Sequence, residues 1–86
     1  MYYVYVLQSE KDKKMYIGLT NDLKKRLQYH VSGKVTSTKC RLPLKLIFYE
    51  AYVDKRDAAR REKYFKTSKG KTTLRSMLKE YLKKEV

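Results

Sequence analysis

The segment YYVYVLQ at Tyr2–Gln8 constrains the fold more than any other, because all but its last residue are aromatic, β-branched or leucine. Such a composition favours an extended strand on a half-buried sheet surface. Side chains alternate along a strand, so we expect Tyr3, Tyr5 and Leu7 on one face and the two valines on the other. This strand is therefore apolar on both faces.

Two further segments have strand character. MYIGL at Met15–Leu19 follows the polar break SEKDKK and predicts the second strand of an antiparallel hairpin. LKLIFYEAYV at Leu44–Val53 is almost continuously apolar, which favours a third strand in a central position of the sheet. Between them we expect a helix capped by Thr20 or Asn21, and then a basic, mobile loop at Val31–Pro43.

Two helices are predicted after the third strand. One begins after an N-cap at Asp54, runs to about Thr67 or Ser68 and ends near Gly70. The other, TTLRSMLKEYLKKEV at residues 72–86, has a core stripe at helical spacing formed by Leu74, Met77, Leu78, Tyr81 and Leu82. The element order is then ββαβαα, an α+β fold in which helices flank a small three-stranded antiparallel sheet.

The first helix places charge at the edge of its buried face. With about 100° of rotation per residue, Leu23, Leu27 and Val31 form its apolar stripe. Arg26 and His30 lie beside that stripe, although the helix has outward positions to spare. Their placement requires an explanation.

The second helix repeats this feature with the opposite sign of charge. With Ala58 taken as zero, Phe65 falls at about −20° and Glu62 at about +40°, so the carboxylate lies on the apolar face. An inward carboxylate must be ion-paired, protonated or bound to a metal. Two interpretations stay open, an ion pair between Glu62 and Arg26 or a cleft lined by these groups.

The net charge of +13, from 22 Lys and Arg against 9 Asp and Glu, is the strongest bulk feature. Such a positive field attracts polyanions. Nucleic acid is favoured over a membrane surface, because no helix pairs a broad apolar face with a wholly basic one. A surface that is basic only for solubility is the alternative interpretation.

Other bulk features limit the class of protein. A chain of 86 residues predicts one domain over residues 1–86. No apolar run approaches the roughly 20 residues of a membrane span, and the N-terminus lacks the pattern of a signal peptide. The single cysteine, Cys40, excludes an internal disulfide, so we expect a cytoplasmic protein. The sequence does not predict an oligomeric state.

The inward charges suit one kind of chemistry. Hydrolysis of a phosphodiester requires an activated water and stabilisation of the charge that develops on the phosphate and the leaving oxygen. A carboxylate-held Mg²⁺ supplies Lewis acidity, an arginine grips phosphate oxygens, and a histidine or tyrosine transfers the proton. Glu62, Arg26, His30 and the strand tyrosines provide one of each.

Four motifs in order along the chain resemble the GIY-YIG nuclease family. They are YVY at Tyr3–Tyr5, YIG at Tyr16–Gly18, T-x-D-L-x-x-R-L-x-x-H at Thr20–His30 and A-x-R-R-E-K at Ala58–Lys63. The chain is similar to the small, stand-alone bacterial members of that family, from Tyr3 to about Arg75. The resemblance implies the same α+β fold and a divalent-metal-dependent DNA endonuclease that cuts one strand to leave a 5′-phosphate and a 3′-hydroxyl.

The resemblance also implies catalytic roles for five residues. Tyr5 and Tyr16 would contact the scissile phosphate or the attacking water. Arg26 would be the catalytic arginine, and His30 would stand where relatives carry a histidine or tyrosine, as a candidate general base. Glu62 would bind the metal, Mg²⁺ or Mn²⁺. Without the motifs, both tyrosines are better explained as core aromatics with a solvated hydroxyl. His30 then has the alternative explanation of a cation near a helix C-terminus.

A second set of residues is predicted to contact substrate: Tyr3, Gly18, Thr20, Lys34, Lys39, Arg41, Lys66 and Thr72. The chain departs from the family pattern in two places, with Tyr3 in place of a glycine and Thr72, Thr73 and Leu74 where larger relatives carry a polar residue, often Asn. Thr72 is the candidate replacement.

The predicted substrate is DNA, although the residues do not distinguish it from RNA. We expect weak sequence preference, because phosphate contacts carry no base information, and action on branched, flapped or damaged DNA, as in repair. The alternative is a non-catalytic, basic nucleic-acid-binding module.

Overall fold

The three strands form one antiparallel sheet in the order β2-β1-β3, and helices cover both of its faces. The computed structural model describes residues 1–84. Its elements are β1 (Tyr2–Ser9), β2 (Met15–Thr20), α1 (Leu23–Val31), a 3₁₀ turn (Lys39–Arg41), β3 (Leu44–Tyr52), α2 (Lys55–Phe65), α3 (Ser68–Met77) and α4 (Lys79–Lys83). The α+β class and the order ββαβαα are confirmed, with the last predicted helix divided in two.

The central strand is β1, so the prediction that the third strand is central was wrong. β1 pairs with β2 on one side and with β3 on the other, and Val4, Val6 and Leu7 are fully buried. The apolar run of β3 has another cause. β3 is an edge strand that packs on both sheet faces, with Phe48 in one core and Leu44 in the other.

The alternation predicted for β1 divides the core into two parts. On one face Val4 and Val6 pack against α2 and α3, where Ala58, Phe65 and Leu74 are fully buried. The opposite face carries Tyr5 and Leu7, which pack with the leucines of α1. The two parts position α1 and α2 on opposite sides of the central strand.

The structure corrects two details of α1. The N-cap is Asp22, whose carboxylate accepts a hydrogen bond from the Lys25 amide at 3.1 Å, and not Thr20 or Asn21. Instead, the Thr20 hydroxyl accepts a bond from the Asp22 amide and closes the preceding turn. At the other end, the predicted stripe residue Val31 is 50% exposed, because its neighbour His30 turns inward.

The boundary between α2 and α3 also differs from the prediction. α2 ends at Phe65, and Thr67 caps α3 by accepting a bond from the Gly70 amide at 3.0 Å. Gly70 therefore lies inside α3 and does not end α2. A Cβ on this residue would overlap the carbonyl of Tyr64, so the glycine permits the two helices to meet closely.

Most of the predicted C-terminal stripe is at least partly buried, but Met77 is not. Leu74 is fully buried, whereas Met77 is 44% exposed because the helix is interrupted at Leu78. The prediction also included Glu85 and Val86, which lie outside the described residues.

Candidate active site

A cleft of about 410 Å³ lies over β2, where α1, α2, α3 and the loop before the 3₁₀ turn meet. Its polar lining comes from all of these elements: Tyr5, Tyr16, Arg26, His30, Ser37, Thr38, Glu62, Lys66 and Lys71. The five residues predicted to be catalytic are all among them. The fold thus gathers into one place side chains that are separated by as many as 57 positions in the sequence.

Three side chains form a buried hydrogen-bonded chain on the wall of the cleft. The Tyr5 hydroxyl lies 2.9 Å from Nε2 of His30, and Nδ1 of His30 lies 2.8 Å from the Thr38 hydroxyl. Tyr5, His30 and Thr38 are 4%, 4% and 1% exposed. Both ring nitrogens have partners, so the imidazole is held in one orientation.

The surroundings of His30 favour the neutral form of its ring. Burial lowers the pKa of His30 below its ordinary value of 6.5, and the nearby charge of Arg26 lowers it further. A neutral imidazole has one donor nitrogen and one acceptor nitrogen. Nε of Arg26 donates to the Tyr5 oxygen at 3.3 Å. One arrangement of protons that satisfies all of these groups has the tyrosine proton pointing at Nε2 and Nδ1 donating to the Thr38 hydroxyl. In this arrangement Nε2 is a base directly behind the tyrosine oxygen.

The packing of the Tyr5 ring explains why the YIG motif has a glycine at position 18. It pairs with Tyr5 across the β1–β2 ladder, and the Tyr5 ring lies directly over it. A Cβ at this position would overlap the ring and its hydroxyl. The glycine thus makes room for the aromatic ring that carries the hydroxyl into the cleft.

Glu62 pairs with Lys66 and not with Arg26. Its carboxylate accepts a hydrogen bond from Nζ of Lys66 at 3.3 Å, one turn along α2, and within residues 1–84 no ion pair joins it to Arg26. Pairs of this kind with an exposed lysine are worth only about 0.3–0.5 kcal/mol. The carboxylate therefore remains available to another cation.

The donors in the cleft fit a hard divalent cation. Glu62 is the one carboxylate among the described residues that line the cleft, and these residues include no cluster of three or more His, Cys, Asp or Glu. Mg²⁺ binds through one or two carboxylates together with waters and substrate phosphate oxygens. The single carboxylate of Glu62 matches the protein's share of that donor set.

The predicted substrate contacts are divided between the cleft and other surfaces. Gly18 and Lys66 line the cleft, and Thr20 lies in an adjoining groove beside Arg26. Tyr3 lies in a separate groove, where its ring meets that of Tyr49 edge-on at 6.0 Å.

The remaining four lie outside the cleft. Nζ of Lys34 stacks over the Tyr29 ring, Arg41 pairs with Asp12 at 3.3 Å, and Lys39 opens the 3₁₀ turn. The hydroxyl of Thr72 donates to a carbonyl of its own helix.

Sequence reasoning missed Ser37, Thr38 and Lys71. The first two belong to the segment predicted as a mobile loop, where no periodicity indicates which residue turns inward. Lys71 precedes the predicted start of the last helix, but it lies on α3 and reaches the cleft. The comparison with the pattern of larger relatives selected Thr72, the residue after Lys71.

Residues 1–75 match the family model of the GIY-YIG catalytic domain. A UPF0213 protein of Bacillus pumilus is 45% identical over 67 residues, which are 77% of this chain and 67% of that protein. A UPF0213 protein of Streptococcus pyogenes is 46% identical over 78% of this chain and 73% of its own length.

The fold also matches a solved structure. The solution NMR structure of a UPF0213 protein from Bacillus halodurans is 34% identical and aligns with a TM-score of 0.57, over 90% of this chain and 85% of that one. None of the described helices is long and apolar enough to span a membrane.

Proposed function

Because this chain belongs to the GIY-YIG family, whose catalytic domain is a nuclease domain, we propose that it is a divalent-metal-dependent endonuclease that nicks DNA. The observation that carries the proposal is the meeting of Arg26, Glu62 and the Tyr5–His30 pair in one cleft. Each side chain supplies one of the needs of phosphodiester hydrolysis. The products would be a 5′-phosphate and a 3′-hydroxyl.

Arg26 is suited to grip the scissile phosphate. Its Nε bond to Tyr5 fixes the plane of the guanidinium, and among the described residues neither terminal nitrogen has a hydrogen-bond partner in the protein. The two terminal nitrogens can donate to non-bridging oxygens as a fork. Charge that develops on the phosphate during attack is thereby neutralised.

Tyr5 and His30 are suited to remove the proton from the attacking water. The water gives its proton to the Tyr5 oxygen while the tyrosine proton passes to Nε2 of His30, 2.9 Å away. The resulting hydroxide attacks phosphorus, and the bond to the 3′-oxygen breaks with its electron pair leaving on that oxygen. Tyrosine alone, with an ordinary pKa of about 10, is a poor base at neutral pH, so the neutral imidazole behind it does the accepting.

Glu62 would hold Mg²⁺ or Mn²⁺, displacing the Lys66 ammonium. When bound, the ion supplies Lewis acidity toward the phosphate and the leaving oxygen. Tyr16, on the edge strand β2, would contact the same phosphate from the floor of the cleft. The proposal gives the domain, residues 1–86, a cytoplasmic role in the repair or processing of structured DNA, with little sequence preference.

The test is the nicking of supercoiled plasmid in Mg²⁺ or Mn²⁺, with EDTA as the control. We expect metal-dependent conversion to open circles, and we expect the Glu62→Gln protein to leave the plasmid supercoiled. A protein that shifts DNA on a gel in a salt-sensitive way and never nicks it in either metal would instead be the non-catalytic binding module.

A further inference from the structure

Two grooves extend the cleft along the outer edge of β2. One shares Met15, Ile17 and Lys71 with the cleft and runs toward α3. The other shares Leu19 and Arg26 with it and runs toward the start of α2. Residues of β2 line all three, from Met15 and Ile17 in the first groove to Leu19 and Thr20 in the second, and we call the cleft and its two grooves together the trench.

Among residues 1–84, basic side chains and no acidic ones line the two ends of this trench. Lys14, Lys71 and Arg75 line the α3 end, and Lys55 lines the end beside Arg26. All four side chains are exposed, and none of them is in an ion pair within residues 1–84. The charge of these side chains is therefore available to a ligand.

The cations follow the line of the trench. Lys71 and Arg75 are one turn apart on α3 and line the same groove, which Lys14, the residue before β2, also lines. Several cations along one trench match a string of phosphates better than a single small anion.

The length of the floor sets the length of the ligand. β2 spans six residues, or about 17 Å at the usual rise of a strand. A nucleic-acid strand in helical form advances about 3.4 Å per nucleotide, so the floor accommodates about five nucleotides. Since the trench follows one strand edge, it presents one row of contacts and not the two rows of a duplex.

We propose that this trench binds the phosphates of one nucleic-acid strand over about five nucleotides, with its stronger half on the α3 side. The inference rests on the proposed function in that the same strand would carry the scissile phosphate past Arg26. It assigns phosphate contacts to Lys71 and Arg75, for which neither the motifs nor the family resemblance gives a role. Base identity would contribute little to binding.

The experiment measures the salt dependence of binding to fluorescent oligo-dA, a single strand whose bases stack in helical form, in EDTA, where no cleavage occurs. Each phosphate contact to a single strand contributes about 0.7 to the slope of log K against log salt concentration. The double variant Lys71→Gln/Arg75→Gln is therefore expected to lower the slope by about 1.4. Affinity should also rise steeply up to about five nucleotides and slowly beyond that length.

The matched control is Lys79→Gln/Lys83→Gln, which removes the same charge from exposed positions on α4. We expect its slope to stay within about 0.3 of that of the unsubstituted protein, well under one contact. Equal decreases of the slope in the two double variants would contradict the trench proposal, because the decrease would then depend only on the total charge of the protein.

The binding experiment and the plasmid-nicking assay test the two proposals independently. If the slopes differ as expected and the plasmid is never nicked, the trench stands and the nuclease proposal fails. If the plasmid is nicked and the two double variants have equal slopes, the nuclease stands and the trench is wrong. Glu62→Gln is expected to bind oligo-dA in EDTA as tightly as the unsubstituted protein or more tightly, because it loses a negative charge.

Discussion

Two adjacent residues of α2, Arg61 and Glu62, both lie near its apolar side, but they differ in how completely their charges are hydrogen-bonded. Arg61 donates from Nε and a terminal nitrogen to both carboxylate oxygens of Glu50, at 3.0 and 3.2 Å, and its guanidinium lies 4.3 Å over the Phe65 ring. Glu62 has one bond, at 3.3 Å, to a lysine that is 55% exposed.

The ion pair between Arg61 and Glu50 is supported by a further hydrogen bond. The Tyr52 hydroxyl donates to the same carboxylate at 2.6 Å. Burial is the larger cause that raises the pKa of Tyr52, and this hydrogen bond raises it further. The bonds to Glu50 likewise raise the pKa of Arg61. This side of α2 therefore uses charge to fasten the helix to β3.

The Glu62 side leaves its charges incompletely satisfied. The carboxylate, the Arg26 guanidinium and the Tyr5 hydroxyl line one cleft without forming a closed ion pair between Glu62 and Arg26. An inward charge therefore indicates structure when its hydrogen bonds are complete, and a ligand when they are not.

The largest expected effect is the loss of nicking in Glu62→Gln. Removing the carboxylate of Glu62 should lower the nicking rate by a factor of about 10²–10³, because charge stabilisation at the phosphate is lost. The thermal midpoint should change little, since the pair with Lys66 is weak. Plasmid nicking and thermal unfolding are measured on the same preparation, and full activity in this variant contradicts the assignment of the metal ligand.

Substitution of the neighbouring Arg61 by Gln should have the reverse outcome. It leaves the half-buried carboxylate of Glu50 without its two charged hydrogen bonds, at a cost of about 1.5–3 kcal/mol in the free energy of unfolding. At a temperature where the variant is folded, its nicking rate should stay close to that of the unsubstituted protein. Urea unfolding gives the stability, and a variant that is inactive while folded would remove the distinction between the two sides of α2.

The pH dependence of stability tests the burial of His30. Its pKa is lower in the folded state than the 6.5 of an unfolded chain, so the unfolded state binds the proton first as pH falls. The contribution of neutral His30 to the free energy of unfolding is complete above about pH 6.5, and the free energy of unfolding decreases as the pH falls below that value. Urea unfolding from about pH 7.5 to 5.5 should show this decrease, and His30→Gln should flatten it. A protein that becomes more stable on acidification over this range would show that His30 is paired as a cation.

The smallest effect is expected from Lys66→Met. This change removes the cation that competes for the Glu62 carboxylate, and a pair worth about 0.3–0.5 kcal/mol corresponds to a roughly twofold gain in Mn²⁺ affinity. Mn²⁺ binding in the absence of DNA, followed by electron paramagnetic resonance, measures it. A weaker affinity in Lys66→Met would mean that the lysine supports the carboxylate and does not compete for it.

The sequence predicted well those parts of the molecule in which a simple periodicity decides burial. Strand alternation placed Tyr5 and Leu7 on one face of β1, and helical spacing placed Arg26 and His30 beside the apolar stripe of α1 and Glu62 on the apolar face of α2. Thr38 was missed because a single inward residue in an irregular segment has no period. The central position was given to the wrong strand because β3, an edge strand, packs on both cores and therefore reads as continuously apolar.

The central claim is that one cleft holds a divalent cation at Glu62 next to the phosphate-binding groups, and paramagnetic broadening of NMR signals by Mn²⁺ tests it most directly. In the presence of a short oligonucleotide with an uncleavable backbone, sparing amounts of Mn²⁺ should broaden the amide signals of Gly18, Arg26 and Glu62 first. In Glu62→Gln this broadening should disappear. Broadening centred elsewhere, or unchanged in Glu62→Gln, would contradict the account.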